Sequence, residues 1–409
     1  MPNQPAVLHS FCIYGAGIVA ASVYTAIKTL YNRTPLFFLI SDAGGRGGML
    51  DASPAQIDGI AVKELSAWRQ ELQALQKQQP LYDPDQNTIV PAYYLIAVPE
   101  AHHQAVVKSL YSLDFLDPPM EDSRIILFTS ELENELMEAY YSSLAHCLTA
   151  AELLDAAKRP ITQAAHQEKD VLLKVFQAKS HMDKPLREQP SLPAAQGSRI
   201  PRYITPIQAG AALTAASIAP LKDNTGESIS VKNRNYCELT ATYHAWKNCH
   251  AAYKGICHYR RIFAIDDAQM RTLLTMKHKW DVILPYPSVY YPNIDKEHTR
   301  YVGESDWRAM LQALRETAPA YLEAYEKGIA DGEQFFHNFN MLIARAEVFD
   351  EYCDFLFKVL ERTEELTTPK GAERADRFAG YLGENLTTLF FLKNRENLRT
   401  IYAGKLWLT

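Results

Sequence analysis

Residues 10–32 read SFCIYGAGIVAASVYTAIKTLYN, and this stretch decides the fold predicted for the first half of the chain. Its apolar start, residues 10–14, predicts a buried strand, and residues 18–31 have the spacing of a helix. Between them lies a G-x-G-x-x-A motif. Glycines in this context let the backbone turn tightly and approach a diphosphate, whose charge the helix N-terminus favours. We therefore predict a nucleotide-binding turn made by Gly15, Gly17 and Ala20.

Further strands and helices alternate up to about residue 145. Strands are predicted at 36–40, 60–62, 93–98 and 124–128, with helices at 64–78 and 102–110. This alternation is typical of a doubly wound, mostly parallel sheet. Asp42 follows the second strand, where a carboxylate is placed to bond a ribose hydroxyl. A Rossmann-like domain that keeps its turn and has lost its ligand is the alternative. Tyr24 and Lys28 match Y-x-x-x-K, but both lie in the first helix, on the wrong side of the domain for hydride transfer.

The second half is again α/β. Strands are predicted at 171–176, 253–263, 280–284 and 339–344, and helices at 236–247, 347–362 and 374–393. An Ala-, Lys-, Glu- and Gln-rich stretch interrupted by Pro160 separates the halves. We therefore predict a nucleotide-binding domain at 1–150, a linker at 151–170 and a second domain at 171–409.

Composition narrows the class of protein. The chain has 409 residues, 47% of them apolar and 22% charged, with a formal charge of −6. These values are those of a globular protein and exclude a collagen, a coiled coil or a mainly disordered chain. A near-balanced charge argues against nucleic-acid binding. We find neither a membrane-spanning run nor a secretion signal, and six cysteines make no disulfide framework. We therefore expect a cytoplasmic protein.

Two family resemblances refine this prediction. YGAGIVA, FLISD, IDGIAV and LIAVPEAHHQAVVKSL, within about residues 10–130, are similar to the Rossmann-like N-terminal domains of sugar acyltransferases, which bind nucleotide-sugars. The β-helix repeats of those enzymes are absent, so acyl transfer is not implied. Over about residues 171–402, five blocks in one order resemble a bacterial glycosyltransferase family of capsular and exopolysaccharide biosynthesis with a GT-A-like fold: PIQAGAAL, DNTGESISVKNRNYCELTATYHAWKN, YKGICHYRRIF, DVILPYPSVYY and NFNMLIARAEVFDEYCDFLF.

The second resemblance implies a function. It implies transfer of a sugar from a nucleotide-diphosphate donor to a capsule, exopolysaccharide or lipopolysaccharide acceptor. Such acceptors are lipid-linked, so the enzyme is expected to be cytoplasmic, with a possible peripheral position at the inner face of the membrane. Two rival hypotheses remain: a non-catalytic nucleotide-sugar sensor or scaffold, and an NAD(P)-dependent oxidoreductase acting through the first domain.

The end of the strand predicted at 253–263 is basic where many GT-A enzymes have a metal-binding Asp-x-Asp. His258, Arg260 and Arg261 stand there, so dependence on Mn²⁺ or Mg²⁺ is in doubt. Arg pairs bidentately with phosphate oxygens and so offers positive charge directly. Strand alternation predicts His258 and Arg260 on one face and Tyr259 and Arg261 on the other. Asp266-Asp267 lies beyond the strand and is interpreted as a helix cap. Cys249-His250 and Cys257-His258 lack the spacing of a zinc site.

Other site residues follow from the family resemblance or from analogy with the fold. The resemblance implies that four residues contact the donor: Asp223, Asn233, Tyr236 and Glu238. For Asn233, helix capping is the alternative. Fold analogy places Lys179 and His181 near the nucleotide base. Asn338 and Asn340 are suited to sugar hydroxyls. Tyr286 and its neighbours Tyr290 and Tyr291 are suited to stacking on an acceptor sugar. The alternative is that the segment containing them is an ordinary rigid surface loop.

For a catalytic base the last predicted helix offers Asp376, Arg377 and Glu384. Asp376 and Glu384 are a little over two turns apart, which predicts one shared face with Gly380 between them. Gly380 and Gly383 permit close approach of another backbone or of a ligand. We hypothesise that Glu384 or Asp376 is the general base, a solvated helix face being the rival interpretation.

Overall fold

The structure is a computed structural model that describes residues 8–42, 55–76, 90–113, 122–158, 172–183, 200–291, 293–295, 297–370 and 374–408. They fall into two compact units, one within residues 1–143 plus 288–293 and one within 144–287 plus 294–409. The predicted linker, 151–170, overlaps the helix Ala150–Ala157 of the second unit. The glycine-rich loop at 44–48 lies outside the described residues.

The first unit is an α/β sandwich around a six-stranded sheet. Its elements in chain order are β1 (Phe11–Tyr14), α1 (Ile18–Tyr31), β2 (Phe38–Ile40), β3 (Gln56–Ile57), β4 (Ile60–Glu64), α2 (Leu65–Gln76), β5 (Tyr93–Ile96), α3 (His103–Leu110), β6 (Ile125–Leu127) and α4 (Ser130–Ser143). The strand order is β3-β4-β2-β1-β5-β6, with every pair parallel except the β3–β4 hairpin. All four residues of β1 are buried because the strand is covered on both faces.

The glycine turn that follows β1 has the predicted geometry. Gly15 has φ of 129°, and a Cβ there would lie 2.5 Å from the carbonyl oxygen of Ala97. Only glycine fits this position without strain. Helix α1 begins at the predicted residue and ends at Tyr31, before Asn32 in the left-handed conformation. Ser22 on its buried face accepts the backbone N–H of Val289, in the segment 288–293 of the same unit.

The second unit contains a seven-stranded mixed sheet with helices around it. Its elements are α5 (Ala150–Ala157), β7 (Leu173–Lys179), β8 (Ile204–Gln208), β9 (Leu221–Lys222), α6 (Asn233–Tyr236), α7 (Leu239–Asn248), β10 (Tyr253–Cys257), β11 (Arg261–Phe263), α8 (Asp267–Thr275), β12 (Val282–Pro285), α9 (Glu304–Thr317), α10 (Pro319–Ala324), β14 (Phe335–Phe336), β15 (Leu342–Arg345), α11 (Ala346–Leu366), α12 (Phe378–Lys393), β16 (Thr400–Ala403) and β17 (Lys405–Trp407); β13 (Ser288–Val289) belongs to the first unit.

The sheet order places three strand ends side by side. The order is β16-β12-β15-β10-β7-β8-β9, and β15 runs antiparallel to both of its neighbours while the other pairs are parallel. The carboxyl ends of β10, β7 and β8 therefore meet at one edge, where ligands bind in open α/β sheets. The predicted α/β class of both halves is confirmed. No helix in the described ranges is both long and apolar enough to cross a bilayer.

Three predicted elements are broken in ways that shape this edge. The helix predicted at 236–247 is interrupted at Cys237, whose φ is 50°, and divides into α6 and α7. The strand predicted at 253–263 ends at Cys257 and resumes as β11, which pairs with β17. The helix predicted from residue 374 begins only at Phe378, after Arg377 at φ of 68°. Asp376 therefore precedes the helix, and the shared face predicted for it and Glu384 is wrong.

Candidate functional site

A cavity of about 610 Å³ lies at the carboxyl ends of β7, β8 and β10, a volume within the range of small-molecule sites. All its lining residues belong to the second unit: Ala178, Lys179, Ser180, His181, Met182, Asp183, Ala209, Leu213, Asn233, Arg234, Cys237, Glu238, His258, Tyr259, Ala375 and Arg377. Five of the predicted site residues are among them, namely Lys179, His181, Asn233, Glu238 and His258.

The β7 side of the cavity carries both signs of charge. Lys179 is the last residue of β7, and the turn after it is closed by Asp183, whose Oδ2 accepts the backbone N–H of Ser180 at 2.7 Å. Burial raises the pKa of Asp183, although Arg260, Lys179 and Arg377 oppose this shift. His181 is exposed at the rim.

Asp223 organises the loop after β8 from behind the cavity wall. Its carboxylate is fully buried and accepts the backbone N–H groups of Gly210 and Ala211 at 2.8 and 3.0 Å, as well as the hydroxyl of Ser230. A buried carboxylate satisfied in this way fixes a loop conformation. Asp223 therefore shapes the wall rather than lining the cavity.

Helix α6 and the break that follows it form another wall of the cavity. Asn233 lines the cavity and donates from Nδ2 to the carbonyl of Cys237 at 2.6 Å and to Thr240 Oγ1 at 3.1 Å, which stabilises the break between the two helices. Tyr236 is fully buried and does not line the cavity. Burial, followed by the charge of Glu364, raises its pKa.

Arg377 brings a positive charge to this wall. Its left-handed backbone conformation precedes α12, and its Nε donates to Cys237 Sγ at 3.2 Å. Burial raises the pKa of Cys237 to about 12, so the sulfur is a neutral thiol at pH 7. The positive end of the α12 dipole adds to the charge of the guanidinium. Arg377 is exposed and lines the cavity.

Glu238 places a carboxyl group in the same wall. Its Oε1 accepts a hydrogen bond from Asn340 Nδ2 at 2.8 Å. Burial raises its pKa, and this effect outweighs the Asn340 bond and the charges of Arg377 and Arg261, which lower it. Glu238 is a candidate for a general base or acid in this cavity, because a carboxyl with a raised pKa titrates nearer to neutrality. The pKa of Asp183 is also raised, but its carboxylate closes the turn after β7.

A buried hydrogen-bonded network holds Asn340. The Thr387 hydroxyl lies 2.8 Å from the carbonyl of Gly383 and 3.2 Å from Asn340 Oδ1, and the hydroxyl of Tyr352 lies 2.8 Å from Thr387 Oγ1. The Asn340 Nδ2 group also donates to the carbonyl of Gly380 at 3.2 Å. Because a backbone carbonyl only accepts hydrogen bonds, the bond to Gly380 identifies the amide nitrogen, and the same nitrogen is directed at Glu238. Asn340 is thus a positioning residue, not a lining one.

The small residues of α12 make this arrangement possible. A Cβ on Gly380 would lie 3.2 Å from Cys237 Sγ, and a Cβ on Gly383 would lie 2.7 Å from Leu239 Cδ1. The predicted close approach at these glycines is confirmed, and the neighbour is the segment that contains Glu238.

The other predicted bases are engaged elsewhere. Glu384 Oε1 accepts the backbone N–H of Phe339 at 2.8 Å, in a turn where Phe339 and Asn340 both have positive φ. Asp376 is half-exposed and forms an ion pair with Arg374. The two Nη atoms of Arg374 also donate to the two carboxylate oxygens of the buried Asp306, each at 2.6 Å. Among the described residues, neither Glu384 nor Asp376 lines the cavity.

Most of the aromatic and amide residues predicted to contact sugars are buried. Tyr286 is 4% exposed and Tyr290 is 6% exposed, so neither ring is presented to solvent. Tyr291 packs on Tyr24 within the first unit, with ring centroids 5.8 Å apart. Asn338 is 5% exposed and does not line the cavity.

The basic turn after β10 is arranged differently from the predicted alternation. Arg261 Nη1 donates to His258 Nδ1 at 3.2 Å, so the two side chains meet instead of lying on opposite faces. His258 lines the cavity, whereas the Arg260 guanidinium stacks on the ring of Tyr259 at 5.2 Å. A tight turn at 258–260, not a continued strand, explains the difference.

Asp266 and Asp267, the acidic pair that follows this edge, are engaged in local hydrogen bonds. Asp266 is the N-cap of α8 in a capping box with Gln269, and Asp267 accepts the N–H of Arg202. The predicted helix cap is confirmed. Within the described ranges, no group of three or more His, Cys, Asp or Glu side chains is arranged to hold a metal ion.

In the first unit the predicted motif residues have distinct surroundings. A Cβ on Gly17 would meet no atom within 4 Å, and its φ of −92° suits any residue, so neither packing nor conformation demands glycine there. Ala20 is fully buried. Asp42 Oδ1 accepts the backbone N–H of Ser66 at the start of α2 at 2.7 Å.

Several residues of the cavity escaped the sequence analysis. Arg234 and Asp183 were not singled out, and Arg377 was considered only as part of a helix face. The basic residues before the last helix are a signal for Arg377. The direction of its side chain, however, depends on a left-handed backbone conformation that the residue pattern does not predict.

Comparison with known proteins adds three findings. Residues 197–395, just under half of the chain, match the family model described as a domain of unknown function (DUF4422). No curated protein matches the chain. Among solved structures the chain is similar to the apo structure of the bifunctional glycosyltransferase WbbM, with 23% identity and a TM-score of 0.47. That similarity covers 58% of this chain and 45% of the other, so this chain spans less than half the length of that protein.

Proposed function

We propose that the second unit is a glycosyltransferase that moves a sugar from a nucleotide-diphosphate donor to a glycan acceptor. The observation that carries this proposal is the cavity at the ends of β7, β8 and β10, which combines cationic side chains with the raised-pKa carboxyl of Glu238. The order and content of the five sequence blocks support the same activity.

The donor diphosphate is assigned to the cationic side chains that line the cavity. Lys179, Arg234 and Arg377 line it, and α12 begins beside Arg377. Guanidinium groups and a helix N-terminus bind phosphate oxygens without a metal. As the bond between the sugar and the diphosphate breaks, negative charge grows on the leaving nucleotide, and Arg377 stabilises it.

Glu238 is assigned as the general base in place of Glu384 and Asp376. An acceptor hydroxyl attacks the anomeric carbon of the donor, its proton passes to the Glu238 carboxylate, and the nucleoside diphosphate leaves. Asn340 holds the carboxylate in place through Oε1. A base whose pKa is raised by burial binds the proton more strongly than an ordinary carboxylate does.

The proposed acceptor is a lipid-linked surface glycan, as in the capsule and exopolysaccharide enzymes that the sequence blocks resemble. We place the enzyme at the cytoplasmic face of the membrane on the same grounds. A second nucleotide site is proposed at the β1–α1 turn of the first unit, where the space around Gly17 suits an approaching diphosphate.

A turnover assay tests the main proposal. The full chain is incubated with UDP-, GDP-, dTDP- and CMP-sugars in EDTA, and release of the free nucleotide is measured with and without glycan acceptors. We expect release from one donor class. Binding without any release across the panel favours the sensor or scaffold hypothesis. Binding of NAD(P) alone, abolished by Gly17→Ala, favours the oxidoreductase hypothesis.

A further inference from the structure

The turn that ends β10 holds His258 in one protonation state. An Arg N–H group only donates hydrogen bonds, so the Nη1 of Arg261 at 3.2 Å makes His258 Nδ1 an acceptor. The backbone N–H of Arg260 also approaches this nitrogen, at 3.3 Å. With Nδ1 accepting, the ring proton resides on Nε2, for which the described residues provide no hydrogen-bond partner.

Charge and burial keep the ring neutral. Burial lowers the pKa of His258 well below its ordinary value, and the positive charges of Arg261, Arg377 and Arg260 lower it further. Within the described part of the chain these are the charged groups that act on the ring, which also lies against the ring of Tyr259, with centroids 4.5 Å apart. The imidazole therefore remains an uncharged Nε2–H donor at and below neutral pH.

Arg261 is itself fixed by two aromatic rings. Its guanidinium carbon lies 3.9 Å from the ring centroid of Phe339 and 3.8 Å from that of Trp407. The pairing of β11 with β17 places Arg261 opposite Trp407, and the turn held by Glu384 presents Phe339. A guanidinium held between two rings keeps its plane and its direction.

We propose that Arg261 is a positioning residue that holds His258 as the neutral Nε2–H tautomer, so that His258 donates a hydrogen bond to the donor diphosphate. This inference rests on the proposed function, because it takes the cavity as a diphosphate site. In this role Arg261 acts through His258, whereas the sequence predicts a direct contact of Arg261 with the donor.

The first test reads the tautomer of the free protein. Long-range ¹H–¹⁵N spectra of the histidine rings are recorded from pH 5 to 8, and His258→Gln identifies the His258 signal by its loss. We expect a neutral Nε2–H ring throughout in the wild type, and a protonated or mixed-tautomer ring at pH 5–6 in Arg261→Met. Arg271→Met, an exposed helix position, is the matched control and leaves the signal unchanged. A wild-type imidazolium at pH 6, or an unchanged spectrum in Arg261→Met, overturns the positioning role.

The second test measures inorganic pyrophosphate binding by calorimetry in EDTA. Gln places an amide N–H near the position of Nε2, so His258→Gln is expected to bind within about threefold of the wild type. His258→Asn and Arg261→Met are expected to bind about five- to tenfold more weakly. Equal binding by His258→Asn overturns the hydrogen bond from His258, even where Arg261→Met fails to fold. No pyrophosphate binding by the wild type overturns both this inference and the diphosphate site on which it rests, whereas the ring spectra test Arg261 alone.

Discussion

Replacing Glu238 by Gln separates its chemical role from its structural one. Gln keeps the Oε1 acceptor, so the 2.8 Å hydrogen bond from Asn340 Nδ2 is retained. It cannot take a proton from an acceptor hydroxyl. Loss of a general base lowers kcat by about 10²–10⁴-fold, or about 3–5 kcal/mol of activation free energy. We expect this loss without a change in donor binding.

The same substitution that lowers activity is expected to maintain or raise the free energy of unfolding at high pH. The pKa of Glu238 is raised by burial, so the folded protein binds this proton more tightly than the unfolded chain does. The free energy of unfolding therefore falls as the pH rises from the ordinary carboxyl pKa through the elevated one, by about 1.4 kcal/mol for each unit of elevation. Glu238→Gln removes this loss, so we expect equal stability near pH 4 and equal or greater stability than the wild type at pH 8.

The assay combines nucleotide release from the donor found in the panel with urea unfolding at both pH values. Glu351→Gln, at an exposed position on α11, is the matched control and should leave both unchanged. In the wild type, kcat/KM should rise with pH through an apparent pKa above 4.5, the ordinary value. Full turnover by Glu238→Gln refutes its assignment as the base. The explanation by burial is refuted if the variant is as stable as the wild type at pH 4 but less stable than the wild type at pH 8.

Three further predictions test the surroundings of the site. Asn340→Ala should move the pH–rate profile to higher pH, because the Asn340 bond lowers the pKa of Glu238, and should cost about 1–3 kcal/mol of unfolding free energy; an unmoved profile argues against the positioning role. Gly15→Ala should destabilise the first unit strongly, whereas Gly17→Ala should leave the melting temperature unchanged and abolish any nucleotide-induced shift of that unit; persistence of the shift contradicts a ligand at this turn. Arg374→Met should leave the buried Asp306 without its bidentate partner and cost about 3–5 kcal/mol in urea unfolding, and a loss below 1 kcal/mol contradicts this account of the pair.

The predictable part of the fold is the part set by local periodicity. Helix α1 was predicted to the residue because an apolar strand, a glycine turn and a helical pattern follow one another within residues 10–32. The ends of strands such as β5 and β12 lie within one or two residues of their predicted positions. A short buried apolar run bounded by turns is typical of a strand and of few other structures.

The cavity was less predictable because tertiary contacts fix its backbone. Cys237, Phe339, Asn340 and Arg377 all have positive φ, a conformation that costs non-glycine residues free energy and that the surrounding structure must impose. These residues redirect Glu238, Asn340 and Arg377. The family resemblance therefore brought Glu238 into the predicted set, and the basic strand end brought His258, whereas helical spacing led to Glu384 and Asp376 as bases.

We infer that this cavity binds a nucleoside diphosphate through Arg377 and its neighbours. The most direct measurement is calorimetric titration of the wild type and Arg377→Met with UDP, GDP, dTDP and CDP in EDTA. We expect one of them to bind the wild type, and Arg377→Met to bind it at least about tenfold more weakly through loss of a charge-assisted bond. Wild-type binding that Arg377→Met leaves unchanged, or no binding of any of the four, would contradict it.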